Sequence, residues 1–135
     1  SIYEDIEQLS IIKLIDTDFK HLLNRYKYYE RYPEHNQNYY RDKAGLILSI
    51  LEEKLNKSYY LWGNDFELVD MAIFPLIRQF INVDSLWFEN SFNKIFIWYQ
   101  KISDSLIFKS IMGKYDFWEA GQEPILINFY DLQNT

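Results

Sequence analysis

Residues 68 to 83 read Leu68-Val69-Asp70-Met71-Ala72-Ile73-Phe74-Pro75-Leu76-Ile77-Arg78-Gln79-Phe80-Ile81-Asn82-Val83. Wound as a helix, the stretch is apolar on nearly every face, with Asp70, Arg78, Gln79 and Asn82 as its polar exceptions. A helix apolar all round belongs at the centre of a bundle. The stretch therefore predicts an all-α fold, a bundle of five to six helices around this one. Pro75 lies inside it, removes one backbone hydrogen bond and should bend it. Just ahead, Phe66 is placed to pack on Met71 as a hydrophobic staple, Glu67 falls at the N-cap, and Asp70 can reach back to free amides of the first turn. Glutamate caps less well than Ser or Thr, by about 0.5–2 kcal/mol. A carboxylate at this end also complements the helix dipole, so Glu67 and Asp70 read as structural cap residues.

Working toward the N-terminus, Tyr59 to Asp65 holds apolar residues and then turn residues, which predicts a packed loop. Before it, Ala44, Ile47, Leu48, Leu51 and Leu55 mark one face of a long helix starting near Gln37. Gly45 within that helix costs about 1 kcal/mol relative to alanine and suggests close approach of a neighbouring helix. Phe19, Leu22, Leu23 and Tyr26 predict a helix from about residue 17 to 29, stopped before Pro33. Ile2, Ile6, Leu9 and Ile12 predict another ahead of it, with a break near Ser10 as an option. Asp16-Thr17-Asp18 reads as the cap between the two.

Toward the C-terminus, Asp84 to Asn90 reads as a loop, and Phe92, Ile95, Phe96, Tyr99 and Ile102 predict a fifth helix. Leu106, Phe108, Ile111 and Met112 predict a short sixth one, ended by Gly113. The tail 114–135 is too apolar to hang free and should return to cover the bundle. Residues 1–135 thus form a single helical domain.

The composition agrees. The 135 residues are 48% hydrophobic and 19% aromatic, with only four Gly and three Pro, which suits long regular elements rather than disorder. Fourteen basic against twenty acidic residues give a net charge of -6, which argues against nucleic-acid or anionic-membrane binding through the overall field. No apolar run reaches the roughly 18 residues of a membrane span. Cysteine is absent, so thiolate metal sites and thiol nucleophiles are excluded. The chain starts at Ser1, with methionine only at positions 71 and 112, which predicts an upstream segment in the gene product.

Chemistry-bearing motifs are few. His21 and His35 lack partners at metal-ligand spacing, and there is no phosphate-binding glycine loop or GxSxG elbow. Glu52-Glu53 lies on the solvent side of its helix and reads as solvation. Lys20, Arg25, Tyr26, Lys27, Tyr28 and Arg31 form a basic, aromatic cluster in an acidic chain. It is either a solvated helix face with Tyr26 packed inward or a place to hold an anionic ligand.

The run from Asn64 to Phe80, with Leu61-Trp62-Gly63 before it, resembles the capped central helix of the C-terminal helical domain of the glutathione S-transferase superfamily. Trp98-Tyr99 is similar to the aromatic pair of that domain's next helix, and Ser105-Leu106-Ile107-Phe108 with Met112-Gly113-Lys114-Tyr115 to its last short helix. Asp18-Phe19-Lys20, Arg25-Tyr26-Lys27-Tyr28 and Arg31-Tyr32 look like the start of the domain in a bacterial branch. The resemblance covers about residues 10 to 124. Glu67 departs from it in place of a small hydroxyl cap, as does the absence of the thioredoxin-like half.

The resemblance implies a domain that lines the electrophile pocket and supplies much of a homodimer interface in a cytoplasmic protein. Glutathione would be the co-substrate of the parent protein, held by the missing thioredoxin-like domain, with no cofactor bound by this chain alone and no metal, nucleic acid or membrane partner. Arg25, Tyr26, Tyr28 and Trp118 become the substrate-pocket candidates, Trp118 and Tyr115 either closing the cleft or anchoring the tail. No residue of the chain is a credible nucleophile or thiolate activator. The alternative is a non-catalytic interaction or regulatory module on the same fold. Without the other half, an exposed apolar patch and self-association are expected.

Overall fold

The computed structural model describes residues 1–105 together with 109 and 110. They form six α-helices: α1 (Ile2–Leu14), α2 (Lys20–Lys27), α3 (Gln37–Lys57), α4 (Leu68–Val83), α5 (Ser85–Ser91) and α6 (Asn93–Ser103). The expected short helix from Leu106 to Met112 lies largely outside the described residues, and the tail with Tyr115 and Trp118 lies wholly outside them.

Helix α4 is the axis of the bundle, with every residue from Val69 to Ile77 buried, Pro75 among them. Its carboxylate Asp70 is fully buried. Oδ1 accepts from the Leu61 amide and from the Trp98 indole N–H, and Oδ2 accepts from the Glu67 amide, all at 2.9 Å. Glu67 does occupy the N-cap, and Asp70 supplies the reach-back half of the capping box. The loop ahead is built to serve it. Tyr60 N–H donates to the Gly63 carbonyl at 2.8 Å, Gly63 takes a φ of 133° that favours glycine, and the buried Leu61 between them turns its amide to the carboxylate. Phe66 stands edge-on to the Tyr60 ring.

Three expectations need correction. Asp16–Asp18 does not separate two helices: α1 and α2 are joined by a π-helical turn over Ile15–Phe19. Ser10 and Thr17 donate their hydroxyls to the Ile6 and Lys13 carbonyls, so they stay in the helix rather than breaking it. Ile11, Ile15, Phe19 and Leu23 are buried at a constant spacing of four. A strict α-helix turns about 400° in four residues and would carry that series off the core, and the wider π turn brings it back. Most of the apolar stripe of α1 faces solvent. Ile2, Ile6 and Leu9 are exposed, because Ile2 and Leu9 sit about 180° and 200° around the helix from Ile11.

The expected loop after Val83 contains the two-turn helix α5. Asp84 caps it through Oδ1, which accepts from the Trp87 amide at 3.1 Å, and Phe88 anchors it in the core. The third correction concerns Glu52, which is no mere solvated charge. It leans from α3 across to α6, and its two carboxylate oxygens accept from the Lys94 and Ile95 amides at 2.9 Å each. The N-cap position of α6 is Phe92, which has no capping side chain, so a distant carboxylate satisfies the free amides there. Gly45 faces one ring: a Cβ placed on it would lie 3.6 Å from Phe92 Cζ, an ordinary contact.

Candidate functional site

The basic, aromatic cluster of the second helix is divided by the structure among three environments. Tyr26 is in the core, 3% exposed, with its ring 4.7 Å from that of Phe80. Burial pushes its phenol up to about 12, and the Asp84 carboxylate adds to the shift. A ring packed this deeply against Phe80 belongs to the core and not to an open cleft.

Arg25 turns toward α3. Its guanidinium lies 4.3 Å over the Tyr32 ring, and Nη1 is 3.3 Å from His21 Nδ1. His21, Glu34, His35, Tyr39 and Lys43 complete a groove of about 460 Å³. Both histidines thus reach one place, with His35 stacked on Tyr39 at 3.7 Å between centroids. Among the described residues no group of three or more His, Cys, Asp or Glu side chains is placed to hold a metal ion.

Tyr28 marks the third environment, a groove of about 260 Å³ between α2 and α4. Lys20, Leu23, Asn24 and Lys27 line it from successive turns of α2, and Leu76 and Gln79 line it from one turn of α4. The helical spacings explain the arrangement, since residues three, four and seven apart share a face. Tyr28, 39% exposed, closes one end, with the Lys27 ammonium 5.4 Å and the Arg31 guanidinium 4.7 Å from its ring centroid. Among the described residues, no carboxylate lines this groove. Gln79 is 8% exposed, and its buried Nε2 has no hydrogen-bond partner. A buried amide donor left without an acceptor costs about 1–3 kcal/mol.

A third cavity, of about 400 Å³, lies at the opposite end of the bundle and carries Lys57, Lys94 and Lys101. Lys101 Nζ donates to the Tyr59 carbonyl at 2.8 Å, and burial lowers its pKa.

Sequence reading isolated Tyr28 but missed Gln79, noted only as one polar exception on a buried helix. Its signal was its place one turn beyond Leu76, on the α4 stripe that meets α2. Asp70 is a buried carboxylate whose hydrogen bonds come from the Leu61 and Glu67 amides and the Trp98 indole.

The model of the glutathione S-transferase C-terminal domain family matches residues 17–106. The chain belongs to that family. No curated protein and no solved structure is significantly similar to it. The stretch matched to the glutathione S-transferase C-terminal domain contains α2, α4, the Asp70 cap and all the described residues that line the groove with Tyr28 and Gln79. Among the described residues, no helix is long and apolar enough to cross a membrane.

Proposed function

We propose that this domain forms the electrophile-binding wall of a cytoplasmic glutathione transferase-like protein. The observation that carries the reading is the groove between α2 and α4, which unites Tyr28 with apolar and cationic side chains inside the region matched to the family. Glutathione and the group that activates its thiol would sit on a thioredoxin-like domain. In the reaction, a glutathione thiolate adds to the electrophile, a C–S bond forms, and the displaced electron pair leaves with the leaving group or is protonated. The role of this chain is to seat and orient the electrophile, because effective concentration and alignment supply much of the rate in such a bimolecular addition.

The test is turnover of glutathione and 1-chloro-2,4-dinitrobenzene by the full gene product. Tyr28→Ala should raise KM for the electrophile several-fold and leave KM for glutathione unchanged. Absence of glutathione-dependent turnover across a panel of electrophiles would sink the reading.

Helix α1 favours a second reading, an interaction module. Ile2, Tyr3, Ile6 and Leu9 are between 56% and 82% exposed, more apolar surface in one short helix than a lone domain needs. This face would make the homodimer or the contact with another protein. Light scattering should show an associated species that Ile6→Glu with Leu9→Glu returns to monomer. A monomeric wild type at high concentration overturns the role given to α1.

A further inference from the structure

We propose that Lys101 is a modification site whose amine takes an acyl group from a small acyl phosphate, and that the acyl group releases the loop ahead of α4 from α6. Its place in the fold carries the first half. Lys94, Ile97, Trp98 and Lys101 stand at spacings of three, four and seven on one face of α6, and all four line the cavity of about 400 Å³. Lys101 Nζ donates to the Tyr59 carbonyl at 2.8 Å, with the Tyr60 ring centroid 4.3 Å and the Tyr59 centroid 5.1 Å away. The amine is thus held in one position beside the cavity, where an unrestrained lysine would sweep through solvent. The Tyr59 side chain is exposed and lines the same cavity, so a small reagent reaches this place.

The surroundings make this amine a nucleophile. Lysine attacks only in its neutral form, which desolvation and a neighbouring cation both favour. Burial lowers the pKa of Lys101, and the Asp70 carboxylate of α4 acts in the opposite direction without cancelling it. Tyr59 and Tyr60 face the amine from the loop. Lys57 lines the cavity from α3 but is engaged by Glu53 at 3.6 Å. Lys94, on the Lys101 face of α6, adds a positive charge that suits a reagent with an anionic leaving group. In the step, the Nζ lone pair attacks the acyl carbon and an N–C bond forms. The C–O bond to phosphate breaks, phosphate leaves with its electron pair, and the proton shed by the nitrogen passes to water.

The second half follows from what the ammonium holds. The loop it clasps is closed by the Tyr59 amide on Asn64 Oδ1 at 3.2 Å and the Tyr60 amide on the Gly63 carbonyl at 2.8 Å, and it presents the Leu61 amide to Asp70. An acyl group removes the positive charge, and with it the attraction to both tyrosine rings and the charge assistance in the bond to the Tyr59 carbonyl.

The experiment treats the 135-residue chain with acetyl phosphate over a range of pH and follows the acetyl occupancy of each lysine by peptide mass spectrometry. Lys101 should be acetylated at least threefold faster than Lys57 of the same cavity, and its rate should level off at a lower pH. Lys94→Gln should slow acetylation of Lys101 by acetyl phosphate at least twofold and leave its rate with the uncharged donor N-acetylimidazole unchanged. Lys101→Gln, which carries an amide in place of the charge, should lower the melting temperature, and Lys101→Arg, which keeps the charge, should restore it. Acetylation of Lys101 no faster than that of Lys57 overturns the site. Equal slowing by Lys94→Gln with both donors overturns the preference for an acyl phosphate. An unchanged melting temperature in Lys101→Gln, or an equal fall in Lys101→Arg, overturns the release of the loop.

Discussion

The indole N–H of Trp98 on α6 donates at 2.9 Å to Oδ1 of Asp70 on α4, and both residues are at most 1% exposed. The same oxygen accepts from Leu61, so one buried carboxylate ties the central helix to a loop before it and to a helix after it. Removing it strands three donors. Asp70→Ala should destabilise the domain by about 3–5 kcal/mol, since each stranded buried donor costs about 1–3 kcal/mol and partial relaxation recovers some of that. Trp98→Phe should cost less from the lost hydrogen bond, about 1.5–3 kcal/mol. Urea titration of both single variants and the double variant measures the pair, and additive losses would show that the bond contributes nothing.

Glu52 makes a similar argument at the surface. Its carboxylate takes two amides at the start of α6, a geometry equivalent to an N-cap supplied from another helix. Glu52→Ala should cost about 1–2 kcal/mol, and Glu53→Ala, whose partner is the exposed Lys57 at 3.6 Å, within about 0.5 kcal/mol of nothing. Equal effects at the two positions would refute the capping role.

Gly45 should be improvable. A methyl group there meets Phe92 at ordinary contact distance, and alanine is favoured over glycine within a helix by about 0.5–1 kcal/mol. Gly45→Ala is expected to raise the melting temperature. A fall would mean that Phe92 cannot accept the added methyl.

Tyr26 sets a limit at high pH. Its folded-state pKa, about 12, lies above the ordinary value of 10.0, so the folded state holds the phenolic proton more tightly than the unfolded chain. The associated stability is fully present below pH 10 and is lost as pH rises toward 12, on the order of 2 kcal/mol in all. Stability measured across that window should fall less steeply in Tyr26→Phe than in the wild type, and identical slopes would show that the phenol plays no part.

The core was legible where periodicity and burial coincide. The all-apolar stretch of α4 named its own position, and the single stripe Ala44, Leu48, Leu51, Leu55 named the inner face of α3. Asp70 was legible because a carboxylate at the start of an apolar helix has few other uses. What escaped were relations between distant segments. Glu52 meets α6 only after the bundle closes, and the α5 stretch carried an Asp84 cap in a segment too short for its periodicity to show. The candidate groove was half legible. The α2 cluster was visible, but its division among core, α3 groove and α4 groove depends on a side-chain direction that spacing alone does not fix, and Gln79 joins it from another helix.

The π turn at Ile15–Phe19 sets how the first helix meets the core. A widened turn of this kind accommodates an extra residue in the rod, because five residues of π winding and four of α winding each cover roughly 400°. Ile11 and Ile15 therefore stay on the side that buries Phe19 and Leu23. The same five residues in ordinary winding would cover about 500° and swing α1 by roughly 90–100°. The direction of the exposed Ile2 and Leu9 side is thus owed to the winding of a short segment rather than to any side chain on that surface.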